Sequence, residues 1–477
     1  MNDQLKKISK TRYRWCNITG HVTATPMRYF YPVNVQDIRD IILEAESKKL
    51  RVRAVGSGHS FSEAAKGTDF VMDIKELRDA AEYTSPLKDD RKNNRYVLAD
   101  AGITIRRLNK LLDKKKLALE NMGAVDFQTI SGALMTGTHG TGIKKPAFPD
   151  IVESLRIVST GGELIQIEPA NGITDPAKHD HAVRLIQDDD IFYSTVVSFG
   201  AMGIVYQIVI QAVPKFFIHE HRYLDQWSEV KQQMLSGEFM KMVEKNDFVA
   251  FRINPYKIKG DHLCSIVQQN VDPSAIRRKG RRNIIASIFG NHEAVFENLI
   301  KTDTLQPQRV RNKIQLSLRM TKVKSYTDRS FKILFQSGAA SLRYGISSEF
   351  AFHADPNKII EVLEYVFART VEYEEYAEIY HPSYLAVRFV KQSKAYLSSC
   401  NRGVTVYIDI PTLYSTIGYQ SLLERYQDIM IDKGGIPHWG KVNNKLYHRM
   451  EFIFTEFPKA HIWSKVQKQM DPKGTFL

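Results

Sequence analysis

The chain has 477 residues, of which 43% are hydrophobic and 25% charged, the composition of a globular protein too long for one hydrophobic core. No apolar run approaches the roughly 20 residues that span a bilayer, and the polar residues 1–7 lack the apolar core of a signal peptide, so we expect a cytoplasmic protein. The formal net charge of +14 would suit a nucleic-acid partner, but the basic residues are dispersed and form no nucleic-acid motif.

The N-terminal part alternates predicted helices and strands. Asn34 can cap a helix that ends near Lys48 and Lys49, and its buried face carries Ile38, Ile41, Ile42 and Ala45. Strands are predicted at residues 51–55 and 97–101, a helix at 105–112, and a further strand that runs through Val209 and stops by Pro214. This order indicates a domain of mixed helix and sheet, and we assign the α+β class.

Glycine clusters stand beside these strands. The first is Gly56, Ser57, Gly58, His59 and Ser60, the second lies within residues 131–142, and the third lies within 198–205. Glycine lets backbone N–H groups approach a phosphate closely. A single such turn is as compatible with a simple link between elements, but three spaced clusters predict a long groove.

After Pro214 the glycine clusters end and longer mixed segments begin. A helix is predicted around residues 358–367, and strands at 384–390 and 404–410. A basic cluster at 277–282 precedes an apolar run at 284–289; it could lie on an anionic membrane surface, but we favour a solvated loop that leads into a core helix. Cysteines are widely spaced, so we expect buried thiols and neither a metal site nor a disulfide framework: Cys16, Cys264 and Cys400.

These glycine clusters, with Gly435–Lys441 near the C-terminus (GIPHWGK), resemble the vanillyl-alcohol-oxidase or PCMH type of FAD-binding fold. Within it the chain is most similar to the aldonolactone oxidase (L-gulonolactone and D-arabinonolactone oxidase) and alditol oxidase family. The resemblance implies an FAD-binding domain at residues 1–214 and a substrate-binding cap domain at 215–430. It also implies that residues 431–477 return to the FAD domain.

The same resemblance implies roles for individual residues. His59 takes the position of the histidine bonded covalently to the flavin. Lys441 would stabilise negative charge on the reduced flavin, Arg388 would bind a substrate oxygen, and His438 borders the substrate. Other residues would form the FAD cradle, with His139 also able to touch the flavin edge: Gly56, Ser57, Gly58, Ser60, Gly123, Thr136, Gly137, Thr138, His139, Gly140, Gly142, Gly203 and Ile204.

The chain departs from the family pattern at Ala386. The family has glutamate two residues before the arginine, and its loss removes a group that would orient a substrate hydroxyl or accept its proton. Glu349, Asp409 or His438 could compensate, and a bulkier, less hydroxylated or anionic substrate becomes plausible. The expected activity is oxidation of a CH–OH group by covalent FAD, with oxygen as acceptor and hydrogen peroxide as product. Alternatives are a dehydrogenase with another acceptor and a catalytically degenerate sugar-binding flavoprotein.

Overall fold

The computed structural model describes residues 1, 3–92, 95–274, 306–322, 325–336 and 343–477, together with positions 297, 298, 300, 301 and 303. The basic cluster at 277–282 and the apolar run at 284–289 lie outside these residues. Within the described ranges, no helix combines the length and the apolar character needed to cross a membrane.

The chain is built from helices and strands of moderate length. The helices are α1 (Asp3–Lys7), α2 (Val35–Ser47), α3 (Ile105–Lys114), α4 (Ile130–Met135), α5 (Asp189–Thr195), α6 (Trp227–Leu235), α7 (Glu238–Lys245), α8 (Val310–Thr321), α9 (Ser330–Leu334), α10 (Pro356–Ala377), α11 (Tyr419–Asp432), α12 (Met450–Glu456) and α13 (Ala460–Met470). The strands before residue 215 are β1 (Ser9–Lys10), β2 (Trp15–Cys16), β3 (Thr23–Ala24), β4 (Arg28–Phe30), β5 (Val52–Val55), β6 (Phe70–Asp73), β7 (Ala80–Glu82), β8 (Tyr96–Asp100), β9 (Leu117–Ala118), β10 (Val152–Val158), β11 (Leu164–Glu168), β12 (Arg184–Gln187), β13 (Ile204–Gln211) and β14 (Val213–Pro214). Those after it are β15 (Phe217–Gln226), β16 (Phe248–Ile253), β17 (Leu263–Asp272), β18 (Tyr326–Arg329), β19 (Gly345–His353), β20 (Leu385–Val390), β21 (Thr405–Leu413) and β22 (Ile436–Pro437).

Two sheets organise the first 214 residues. One has the order β1-β4-β6-β5, and the other has the order β12-β11-β10-β13-β8-β7. Helix α2 confirms the predicted helix: the Asn34 side chain accepts a hydrogen bond from the Asp37 backbone N–H at 2.9 Å and so caps the helix. Strand β5 then leads directly into the first glycine cluster, which places that cluster at the edge of a sheet.

The larger sheet follows Pro214, with the order β18-β15-β17-β16-β20-β21-β19-β22. Side chains of a strand alternate between its two faces. One face is apolar, carrying residues such as Phe251, Val387 and Ile408, and it packs against α6, α10 and α11 in a single core. The opposite face carries polar and charged residues, which makes it the face available for chemistry.

The C-terminal segment packs against the N-terminal part of the molecule. Phe457 and Phe476 belong to the same core as the residues of α2 and β10, and the backbone N–H of Val52 donates to the Thr475 carbonyl at 2.7 Å. The domain boundaries at 214 and 430 stay predictions. Cys264 and Cys400 are buried, but Cys16 is exposed, so the expectation of a buried thiol is wrong at Cys16, which lies on the short strand β2.

Candidate active site

The first glycine cluster lines a cleft of about 780 Å³ that Thr136, Gly203 and Ile204 also line. None of the backbone N–H groups of residues 56–60 donates to an acceptor in the described part of the chain. Gly58 has a φ of +68°, which favours glycine, and a Cβ on Gly56 would overlap the Thr129 hydroxyl. The turn therefore presents several free hydrogen-bond donors to one cavity, as an anionic pyrophosphate requires.

His59 lies in this cleft with an available ring. Burial lowers the pKa of His59 to about 4, so its imidazole is neutral at pH 7. Its ring stacks on Phe127 with centroids 6.4 Å apart, and neither ring nitrogen has a hydrogen-bond partner among the residues that the structure describes. A neutral, unpaired imidazole is a competent nucleophile.

The C-terminal motif contacts residues that lie beside this cleft. The backbone N–H of Phe61 donates to the Gly440 carbonyl at 2.8 Å, and the Ser62 hydroxyl donates to the Trp439 carbonyl at 2.6 Å. A Cβ on Gly440 would lie 3.3 Å from Thr136 Oγ1. The loop after His59 and the second glycine cluster therefore both contact the segment that carries Lys441.

A compact cluster of charged groups forms where this segment meets the larger sheet. Lys441 Nζ donates to Ser347 Oγ at 2.8 Å and lies 3.5 Å from Asp409 Oδ1 and 3.8 Å from Glu349 Oε2. Glu349 Oε1 also lies 3.3 Å from His139 Nε2. The pairing of β19 with β21 places Glu349 and Asp409 opposite each other, so two buried carboxylates share one ammonium group.

The two carboxylates have opposite pKa shifts. Burial alone would raise the pKa of Glu349, but the neighbouring Lys441 and His139 offset it and hold that pKa well below its ordinary value. Burial raises the pKa of Asp409. The positive charge of Lys441 opposes this rise, and the negative charge of Glu349 adds to it. Asp409 Oδ1 accepts no hydrogen bond from a described residue. Divergent shifts in adjacent acids are typical of a site that handles protons.

His139, Glu349 and His438 also have their ligand atoms within 4.8 Å of one another, a spacing that a metal would need. The His438 Nδ1 atom accepts a hydrogen bond from the Gly440 backbone N–H at 3.0 Å, and burial lowers the pKa of His438 to about 3. The neutral ring then carries its hydrogen on Nε2, which leaves no free lone pair for a metal. This tautomer favours a proton-handling cluster over a metal centre.

A second cleft opens on the polar face of the sheet, with an empty volume of about 620 Å³. Arg388 and Ala386, which we expect to face the substrate, line it together with Arg222 and Arg252, two residues that the sequence did not single out. The available signal was a lone arginine inside the otherwise apolar strand β16. Three arginines therefore face one cleft.

Some of the predicted cradle residues lie away from the first cleft. Its lining lacks Gly123, Gly137, Thr138, Gly140 and Gly142. A Cβ on Gly140 would overlap the Asn121 side chain, and the Gly142 N–H donates to the Phe389 carbonyl at 2.6 Å. Local packing therefore accounts for glycine at positions 140 and 142, and contact of either residue with a cofactor stays a prediction.

Comparison with known proteins gives consistent matches over the whole chain. Residues 26–168 match the FAD binding domain family, and residues 208–477 match the D-arabinono-1,4-lactone oxidase family. L-gulono-1,4-lactone dehydrogenase of Mycobacterium tuberculosis is 26% identical over 97% of both chains. L-gulonolactone oxidase of Scyliorhinus torazame is 25% identical, covering 98% of this chain and 96% of its own. Cholesterol oxidase from Brevibacterium sterolicum has a similar structure, with a TM-score of 0.80 and 16% identity over 100% of this chain and 96% of its own.

The glycine-lined cleft, the polar sheet face and these matches define a flavoprotein oxidoreductase with a PCMH-type FAD-binding fold. FAD as cofactor and the predicted fold class are thereby confirmed. The second family covers more than half of the chain, and the protein belongs to the D-arabinono-1,4-lactone oxidase family.

Proposed function

We propose that the protein oxidises a CH–OH group of a polyhydroxy substrate, of the sugar, polyol or aldonolactone type, and passes the electrons to oxygen to give hydrogen peroxide. The observation that carries this proposal is the position of Lys441. The preceding residue, Gly440, accepts a hydrogen bond from Phe61 and lies beside Thr136 of the glycine-lined cleft, while the ammonium group of Lys441 lies within 4 Å of Glu349 and Asp409. Cofactor cleft and proton-handling groups thus meet at one residue.

The residues present fit FAD, because residues 56–60 leave their backbone donors free around a cavity of suitable size. FAD held there would supply the acceptor for the hydride of the substrate carbon, and His59 would be the residue that holds it covalently. We assign that bond to His59 because its imidazole is neutral and unpaired, so a ring nitrogen keeps its lone pair.

Asp409 is the proton acceptor in this proposal. It is the cross-strand partner of Ala386, so its carboxylate projects from the sheet face on which a glutamate at 386 would stand. A raised pKa suits a general base. Asp409 Oδ1, which lies 3.5 Å from Lys441 Nζ and accepts no hydrogen bond from a described residue, is the oxygen that would take the proton of the substrate hydroxyl. The substrate then loses its hydroxyl proton to Asp409 as its carbon loses hydride.

Lys441, Arg388 and His438 surround the same reaction. Lys441 supplies a fixed positive charge beside the reacting groups, where it stabilises developing negative charge. Arg388 lines the second cleft and offers a planar fork of donors to a substrate oxygen. His438, buried and neutral with its hydrogen on Nε2, is a donor within the same cluster.

Oxygen is the proposed acceptor because the relative from Scyliorhinus torazame is named an oxidase. The mycobacterial relative is named a dehydrogenase, which makes another acceptor the second candidate. Anaerobic mixing with alditols and aldonolactones should bleach the flavin, and readmitted oxygen should restore its colour with stoichiometric peroxide. Bleaching that only an added dye reverses would identify a dehydrogenase, and purified protein without any flavin absorbance would refute the enzyme.

A further inference from the structure

Ala386 stands in a row of residues that runs across the polar sheet face. In the antiparallel pairing, Ala386 lies opposite Arg252 on one neighbouring strand and opposite Asp409 on the other. Directly paired side chains have Cβ atoms about 5 Å apart. The methyl group of Ala386 therefore leaves a gap in the row, with a cation on one side and a carboxylate on the other.

Two of the three arginines that line the second cleft have no direct partner of opposite charge among the described residues. Arg222 is paired with Glu220 at 2.6 Å, but neither Arg252 nor Arg388 has an ion-pair or hydrogen-bond partner for its guanidinium among the described residues. Arg252 rests its guanidinium over the Tyr384 ring at 4.9 Å. Asp409 and Glu349, the nearest acids beyond the gap, are shared with Lys441.

Arg252 is only partly exposed, which makes its lack of a direct ion pair costly. Burial lowers the pKa of Arg252 from its ordinary value and the positive charges of Arg222 and Arg388 add to this, while Tyr384 and Glu220 oppose it in part. Arginine does not give up its proton in proteins, so the charge persists and its environment must compensate for it. A cleft arranged in this way favours the binding of an anion.

We infer that the second cleft binds an anionic group of the substrate, a carboxylate or a phosphate, between Arg252 and Arg388. This inference rests on the proposed function, because it assigns a substrate class to the same site. The planar forks of two guanidinium groups match the paired oxygens of either anion. The reactive CH–OH group then lies toward Asp409 and Lys441, on the other side of Ala386.

The first experiment measures binding without turnover. The FAD-loaded protein is titrated calorimetrically with inorganic phosphate and, separately, with succinate. We expect at least one of them to bind, with affinity weakened on the order of 30-fold in Arg252→Met, as the loss of a charge-assisted contact implies. Arg252→Lys should retain most of the affinity. Arg107→Met, which removes an exposed arginine paired with Asp79, controls for net charge and should bind like the natural protein.

The second experiment measures flavin reduction with substrates matched in carbon skeleton. A hexonate and a hexitol phosphate are compared with the neutral hexitol and hexonolactone, which also separates a carboxylate from a phosphate. We expect the anionic member to have the lower KM, and Ala386→Glu, which places the countercharge within the protein, to reverse that preference.

The outcomes separate the inference from the proposed function. Equal binding in the natural protein and Arg252→Met, or no anion binding, together with efficient oxidation of neutral substrates, would overturn the inference and leave the function standing. Anion binding that depends on Arg252, with no substrate of either charge reducing the flavin, would support the anion site and overturn the function.

Discussion

Replacing Lys441 with methionine tests the centre of the proposed mechanism. The ammonium group lies 3.5 Å from Asp409 Oδ1 and 3.8 Å from Glu349 Oε2, and near 4 Å a unit-charge pair is worth about 4 kcal/mol at an effective dielectric constant of about 20. The two contributions do not add, because the carboxylates repel each other and Asp409 can take up a proton. We therefore expect Lys441→Met to lose at most the interaction energy of one such pair, about 4 kcal/mol.

Only the part of this energy that grows in the transition state affects the rate. Removing one preorganised electrostatic group commonly costs on the order of 100-fold or more, which is within the limit set by one pair. We expect Lys441→Met to retain FAD and to reduce it roughly 100-fold more slowly. Lys441→Arg, which keeps the charge, should recover part of the rate.

The pH dependence gives a second readout. In the natural protein burial raises the pKa of Asp409, the proposed proton acceptor, and the charge of Lys441 opposes that rise. Without Lys441 that pKa rises, and the loss of rate on acidification should begin at higher pH in Lys441→Met than in Lys441→Arg. The assay is anaerobic stopped-flow reduction of the flavin between pH 5 and pH 9. Near-normal rates and an unchanged pH profile in Lys441→Met would remove Lys441 from the mechanism.

Three further predictions follow from other parts of the structure. His59→Ala should release its FAD on acid denaturation, whereas the natural protein should keep it; an intact mass equal to the bare polypeptide would refute the covalent bond. His381 is buried, and burial lowers its pKa to about 3, so protonation of the unfolded chain below its pKa of about 6.5 favours unfolding, by about 2 kcal/mol at pH 5. Urea unfolding of His381→Leu should therefore lose less stability between pH 7 and pH 5 than the natural protein, and equal losses would contradict a neutral buried ring. Small neutral alditols should turn over poorly in the natural protein and better in Ala386→Glu; efficient oxidation of xylitol or sorbitol by the natural protein would show that the substrate argument is wrong.

Features that depend on neighbouring residues in the chain could be predicted from the sequence. The cap at Asn34, the glycine turn around His59 and the strand that carries Arg388 each have a local pattern that fixes their conformation. Ala386 could be recognised as a departure from the family pattern because it stands two residues before Arg388 on the same strand. The fold and the cofactor followed from several such patterns in a fixed order.

The balance of charge could not be predicted in this way. Arg252 on β16 and Asp409 on β21 lie on either side of Ala386 on β20 because of the register in which these three strands pair. Strands β16 and β20 are more than 130 residues apart in the sequence. Nothing in the local sequence of β16 shows which strand will pair with it. The sequence therefore indicated that a carboxylate is missing at position 386. The structure shows that Ala386 lies between Arg252, which has no direct ion pair among the described residues, and Asp409.

The contacts between the two ends of the chain also set the order of events during synthesis. The loop after His59 is held by Trp439 and Gly440, and β5, which precedes it, bonds to Thr475. Phe476 is fully buried in the core that contains α2. A nascent chain that emerges N-terminus first cannot make these contacts until residues 439–476 have left the ribosome. We therefore expect the N-terminal part to stay incompletely packed until then, and flavin to be captured late in maturation.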